Sequence, residues 1–129
     1  MIPPTQKFFD INLSTPELQE YLKTMTGEQY TKKIIKITPI QYLKLCYSGP
    51  LDRLWRQFYI NDPDIKRIKS LNIAYQNAVL LPSPVIVTKQ NKILFCDGAH
   101  RMFLLAQLGY INQVFPVLFI TDNPSNLNY

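Results

Sequence analysis

The stretch Val85-Ile86-Val87-Thr88-Lys89-Gln90-Asn91-Lys92-Ile93-Leu94-Phe95-Cys96-Asp97-Gly98-Ala99-His100-Arg101 decides how this chain is read. Two β-prone segments, 85–88 and 93–96, flank the polar turn 89–92, which predicts a hairpin. The apolar run from Met102 to Leu108, ended by Gly109, then predicts a helix, and 114–120 a last strand. Proline cannot donate to a ladder, so Pro116 places that last strand near a sheet edge.

Upstream, proline marks helix starts. Ser14-Thr15-Pro16-Glu17 reads as a helix start with a Ser14/Glu17 capping box, and Leu18, Tyr21, Leu22 and Met25 form its apolar stripe up to Gly27. Residues 33–37 read as a strand. Thr38-Pro39 opens a short helix through about Tyr47, and Pro50 and Pro63 begin two more, the latter capped by Asp62. The sum is a single α+β domain with a small mixed sheet and a strand–box–helix–strand unit. Residues 1–30 form an N-terminal helical extension, 31–122 the domain and 123–129 a loose tail.

At 129 residues and 47% hydrophobic composition, the chain has the makings of one globular core. Met1 to Lys7 lack the profile of a secretion signal, so a cytoplasmic location is expected, with Cys46 and Cys96 as free thiols. Two cysteines fifty positions apart make neither a CxxC pair nor a four-thiolate zinc site. No apolar run approaches the roughly 18 residues needed to cross a bilayer, so no membrane association is expected.

The net charge of +5 is unevenly placed. Residues 31–72 carry nine bases against three acids. Within them Arg53, Arg56, Lys66, Arg67 and Lys69, interleaved with Trp55, Phe58 and Tyr59, form a candidate nucleic-acid-binding set. The plainer alternative is a solvated helix face over a buried stripe of Leu51, Leu54, Trp55 and Phe58.

Polar chemistry concentrates at Asp97, Gly98, His100 and Arg101, between two apolar segments and including the only histidine. Gly98 allows the backbone to approach a ligand, and the N–H groups of the following first turn favour an anion. Arg101 offers paired donors to phosphate oxygens, and His100 can move a proton near neutral pH. Asp97 suits magnesium ligation or proton acceptance from a hydroxyl. Taken singly, Asp97 reads as a cap, Gly98 as a turn, and His100 and Arg101 as surface residues; their clustering points to a site.

Asp97-Gly98-Ala99-His100-Arg101, with Leu81-Pro82-Ser83-Pro84-Val85-Ile86-Val87 before it and a strand after it, resembles the DGxHR-type box of the ParB/sulfiredoxin superfamily. Ile37-Thr38-Pro39-Ile40 resembles that family's opening strand and turn. The resemblance implies that Gly98, Ala99, His100 and Arg101 bind the phosphates of a nucleoside triphosphate, with Asp97 and His100 catalytic and Asp97 on magnesium. Ala99 stands where sulfiredoxins carry their catalytic cysteine, so reductase activity is not expected. Only some twenty residues follow Gly109, too few for the helix-turn-helix domain of the segregation CTPases. Between Lys32 and Leu51 there is no acid, where the superfamily's free-serine kinases use a glutamate.

Three readings stay open. The first is a nucleotide-binding protein that hydrolyses or transfers a phosphate. The second is a DNA-binding protein or nuclease using the basic middle segment. The third is a non-catalytic interaction module, meeting a protein partner or a second copy in a homodimer through its N-terminal helix. The wealth of Ile, Lys, Asn and Tyr fits a phage or mobile element.

Overall fold

A computed structural model describes residues 8–122, so the readings of residues 1–7 and of the tail 123–129 lie outside the described residues. In chain order the elements are β1 (Phe9–Asp10), α1 (Pro16–Lys23), β2 (Thr31–Ile37), α2 (Pro39–Cys46), α3 (Leu51–Ile60), α4 (Asp62–Gln76), β3 (Leu81–Pro82), β4 (Val85–Lys89), β5 (Lys92–Asp97), α5 (Ala99–Gln107) and β6 (Phe115–Thr121). The class is α+β. Four strands form a mixed sheet in the order β2-β6-β4-β5, and β1 pairs with β3 in a separate short parallel ribbon.

The sheet is built on a period of two. Ile35 and Ile37, Ile86, and Phe115, Val117 and Phe119 join one core with Tyr42 and Leu43 of α2 and Met102 to Leu105 of α5. The alternate residues Val85, Val87 and Ile120 face the other way and pack with Leu18 and Met25. The N-terminal helix therefore covers the second face of the sheet with its apolar stripe, and Tyr21 stacks on Phe95 at 4.6 Å between ring centroids. Helix α5 is buried on nearly every side, from Arg101 through Ala106. Among the described residues no helix is long and apolar enough to cross a membrane.

The hairpin forms as the sequence indicates. Gln90 and Asn91 both adopt positive φ, 52° and 67°, the backbone a two-residue turn between twisted strands requires. Other expectations shift by a residue or two. Thr15, not Ser14, caps α1 by accepting from Leu18 N at 3.1 Å, and α1 ends at Lys23. Asn61, not Asp62, caps α4. Thr38 and Gln41 build the complete capping box of α2.

Two expectations are overturned. Strand β6 lies in the interior of the sheet, between β2 and β4, despite Pro116. Leu118 N donates to Pro84 O at 2.9 Å, so the even-numbered N–H positions of β6 point toward β4. Pairing with β4 begins only at Leu118, opposite Val85. Pro116 therefore turns its missing donor to a place where no ladder acceptor stands, past the start of β4.

The cysteines are not free: Cys46 and Cys96 form a disulfide with Cα atoms 6.1 Å apart. Cys96 follows the period that puts its partner Ile86 in the larger core, and Cys46 ends the helix packed there. A fifty-residue spacing excludes a redox motif but not a tertiary bridge, and a reducing compartment would work against it. Replacing both cysteines with serine, or adding a dithiol reductant, is expected to cost about 4 kcal/mol by chain-entropy reasoning for a loop of this length. Urea denaturation of the oxidised and reduced protein measures it.

Candidate functional site

The box sits where β5 passes into α5. Asp97 is the last residue of β5, Gly98 the N-cap, and Ala99, His100 and Arg101 the first turn of the helix, which begins three residues earlier than the apolar run alone indicated. Gly98 has φ 136°, and a Cβ there would lie 2.6 Å from Pro84 Cβ and 2.8 Å from Pro84 Cα. Both the backbone angle and the approach of the 82–84 segment exclude a side chain. Asp97 gives α5 no side-chain cap; the carboxylate is used elsewhere.

Arg101 is 6% exposed, not a surface residue. Its Nη2 lies 3.2 Å from Asp97 Oδ1, and its Nη1 donates to Pro82 O. The other carboxylate oxygen, Asp97 Oδ2, accepts from the Thr15 hydroxyl. Burial lowers the pKa of Arg101 from its ordinary value, the Asp97 carboxylate opposes this, and Arg67 adds to the lowering by repulsion. Beside this pair Tyr42 donates its hydroxyl proton to Val85 O at 2.9 Å.

His100 lies one residue back on the helix. Its Nε2 is 2.7 Å from Asp64 Oδ1 in the first turn of α4, and its ring stacks on Phe58 with centroids 4.6 Å apart and planes 10° from parallel. A carboxylate oxygen accepts, so Nε2 carries the shared proton and Nδ1 is left as the atom able to take another.

Thr15, Arg67, Asp97, Gly98, His100 and Arg101, with Leu71, Leu81 and Pro82, line one hollow of about 110 Å³. The imidazole and the guanidinium of the box thus share a cavity. Ala99 is not among its lining residues. Of the basic set expected to meet nucleic acid, Arg67 belongs to this hollow, whereas Arg53, Arg56, Lys66 and Lys69 are exposed on α3 and α4. Arg67 forms no salt bridge among the described residues.

Three contributors lie outside the box as the sequence marks it, with Arg67 expected only in the basic set. Asp64 and Arg67 share a face of α4 with Leu71 by their spacing of three and four, a stripe visible once α4 is known to lie against α5. Thr15 arrives from the N-terminal extension, and nothing local in the sequence marks it except its place before a proline. As for magnesium, no group of three or more His, Cys, Asp or Glu among the described residues could hold a metal ion, and both oxygens of Asp97 are engaged. A magnesium ion held at Asp97 would lean on substrate phosphates and water more than on protein oxygens.

Two measurements check this geometry. Gly98→Ala is expected to destabilise the fold by about 3 kcal/mol, combining backbone strain with the clash on Pro84, read as a shift in the denaturation midpoint. Burial, together with the Asp97 charge and despite Arg101, also pushes the Tyr42 phenol well above its ordinary pKa. A folded-state pKa raised in this way gives stability that is complete below the unfolded phenol value, about 10, and is lost as pH rises past it. Denaturation from about pH 8 to 11 should show that loss, and Tyr42→Phe should flatten it.

Set against family models, curated proteins and solved structures, the chain finds no match.

Proposed function

We propose that the hollow binds the phosphate of a nucleoside triphosphate and that the protein hydrolyses or transfers that phosphate, in the manner of the ParB/sulfiredoxin superfamily its box resembles. The observation that carries this reading is the charge arrangement. Arg101 is paired with Asp97, and Asp64 accepts from the His100 ring, while Arg67 lines the same cavity with no ion-pair partner among the described residues. An incoming anion meets that unpaired guanidinium, the remaining donors of Arg101 and the first turn of α5.

Each residue then has a task. Arg67 grips phosphate oxygens; Arg101, fixed at both ends of its fork, supplies a rigid wall of positive charge; Gly98 keeps the backbone clear. In hydrolysis the His100 imidazole, oriented by Asp64, takes the proton of the attacking water on Nδ1. Magnesium belongs to the substrate here and enters with the triphosphate.

Calorimetry with the magnesium salts of ATP, CTP and GTP, and with ADP, tests the proposal. At least one should bind, and Arg67→Ala should weaken it about 10- to 100-fold, the effect of removing one charged hydrogen bond. Absence of heat with every nucleotide at millimolar concentration would overturn it.

A second reading has its own support. Arg53, Arg56, Lys66 and Lys69 are exposed and outside every salt bridge of the described residues, as a phosphate-backbone contact surface needs. DNA affinity through this surface would fall steeply with added salt, and an absence of any gel shift at low salt counts against it. A protein partner or second copy at the N-terminal helix would meet Glu17, Gln19, Glu20 and Lys23, because Leu18 already faces the sheet.

A further inference from the structure

One hydroxyl in the hollow comes from outside the box. Thr15 caps α1 by accepting from Leu18 N, yet the proton of the same hydroxyl goes to Asp97 Oδ2, 82 residues away. Capping does not require that second bond. Thr38 caps α2 in the same way through Gln41 N, and its hydroxyl has no carboxylate partner among the described residues. Asp97 is itself oriented, since Arg101 holds its other oxygen at 3.2 Å. A hydroxyl donating to a carboxylate that a third group fixes is the arrangement of an activated nucleophile.

We propose that Thr15 is a phosphoryl acceptor and that the protein phosphorylates itself at Thr15 Oγ1. The proposal rests on the nucleotide reading of the hollow and names the acceptor for the transfer. Thr15 Oγ1 attacks the terminal phosphorus of a bound nucleoside triphosphate. The Oγ1–P bond forms as the bond from that phosphorus to the bridging oxygen breaks, and the nucleoside diphosphate leaves with the bonding electron pair. The hydroxyl proton passes to Asp97 Oδ2, which plays the part an aspartate plays toward a substrate hydroxyl in phosphoryl transfer generally. The product is suited to its place. Its phosphate lies in a hollow that also holds Arg67 and Arg101, at the N-terminus of α1, where negative charge is favoured. Thr15 is partly exposed and lines the hollow.

The full chain is incubated with magnesium ATP, CTP or GTP, its mass is measured intact, and the modified residue is mapped. Expected is one phosphoryl group per chain, on Thr15, formed at a rate independent of protein concentration. Thr15→Ala should abolish the modification, Thr15→Ser should keep it, and Thr38→Ala should leave it unchanged. Asp97→Asn should slow it at least 100-fold, the lower range for loss of a general base. The unmodified chain's nucleotide affinity, measured in parallel by calorimetry, separates the two ideas. Binding without phosphothreonine, or a modification that survives Thr15→Ala, overturns this proposal and leaves the phosphate reading standing; absence of binding overturns both.

Discussion

The ion pair between Asp97 and Arg101 is the interaction on which the arrangement turns. It joins consecutive elements, the end of β5 and the first turn of α5, and it reaches β3 through Pro82 O and α1 through Thr15. A guanidinium 6% exposed carries a heavy desolvation cost, which a single carboxylate does not cancel. Here the fork is met by a carboxylate and a carbonyl, and the carboxylate by a hydroxyl as well, so the group is satisfied on several sides. Breaking such a pair by removing one partner leaves a buried charge alone, at a cost of about 3–5 kcal/mol. The pair accordingly holds the box in one geometry, whatever ligand it meets.

Around that pair, β5 and α5 have little freedom. Gly98 passes so close to Pro84 that the strand-to-helix turn fits only without a side chain, and the disulfide pins the residue before Asp97 to the end of α2. Helix α2 in turn brings Tyr42 to Val85 O, on the strand that pairs with Asp97. Backbone, covalent and hydrogen-bonded constraints therefore converge within two residues of the box. Arg67 and His100 differ in kind: one is exposed on α4 and unpaired among the described residues, the other stacked on Phe58. The hollow thus combines a closely held floor with one exposed cation.

Much of this was legible in the amino-acid order because it is local. The hairpin, the proline-started helices and the alternating strands each follow from a few neighbouring residues and the periods of helix and strand. The box stood out because four polar residues interrupt an apolar run. What could not be read depends on which elements meet. Pro116 marks an edge by the ordinary rule, yet β4 starts too late to need its donor. Cys46 and Cys96 carry no spacing signal, and only the packing of α2 on the sheet pairs them. Arg101 reads as a surface residue on a first turn until α1 and β3 close over it.

The same distinction explains why the site is more than its motif. A box of Asp97, His100 and Arg101 alone is nearly self-neutralising, since Arg101 is committed to its own aspartate. Asp64 from α4 accepts from the His100 ring, and Arg67 one helical turn on brings a guanidinium to the hollow. Burial lowers the pKa of Arg101, and repulsion from that guanidinium adds to the lowering. The charge that calls for an anion is thus brought by α4, and the hydroxyl that could receive a phosphoryl group by α1, each from a segment distant in sequence from the residues that first mark the site.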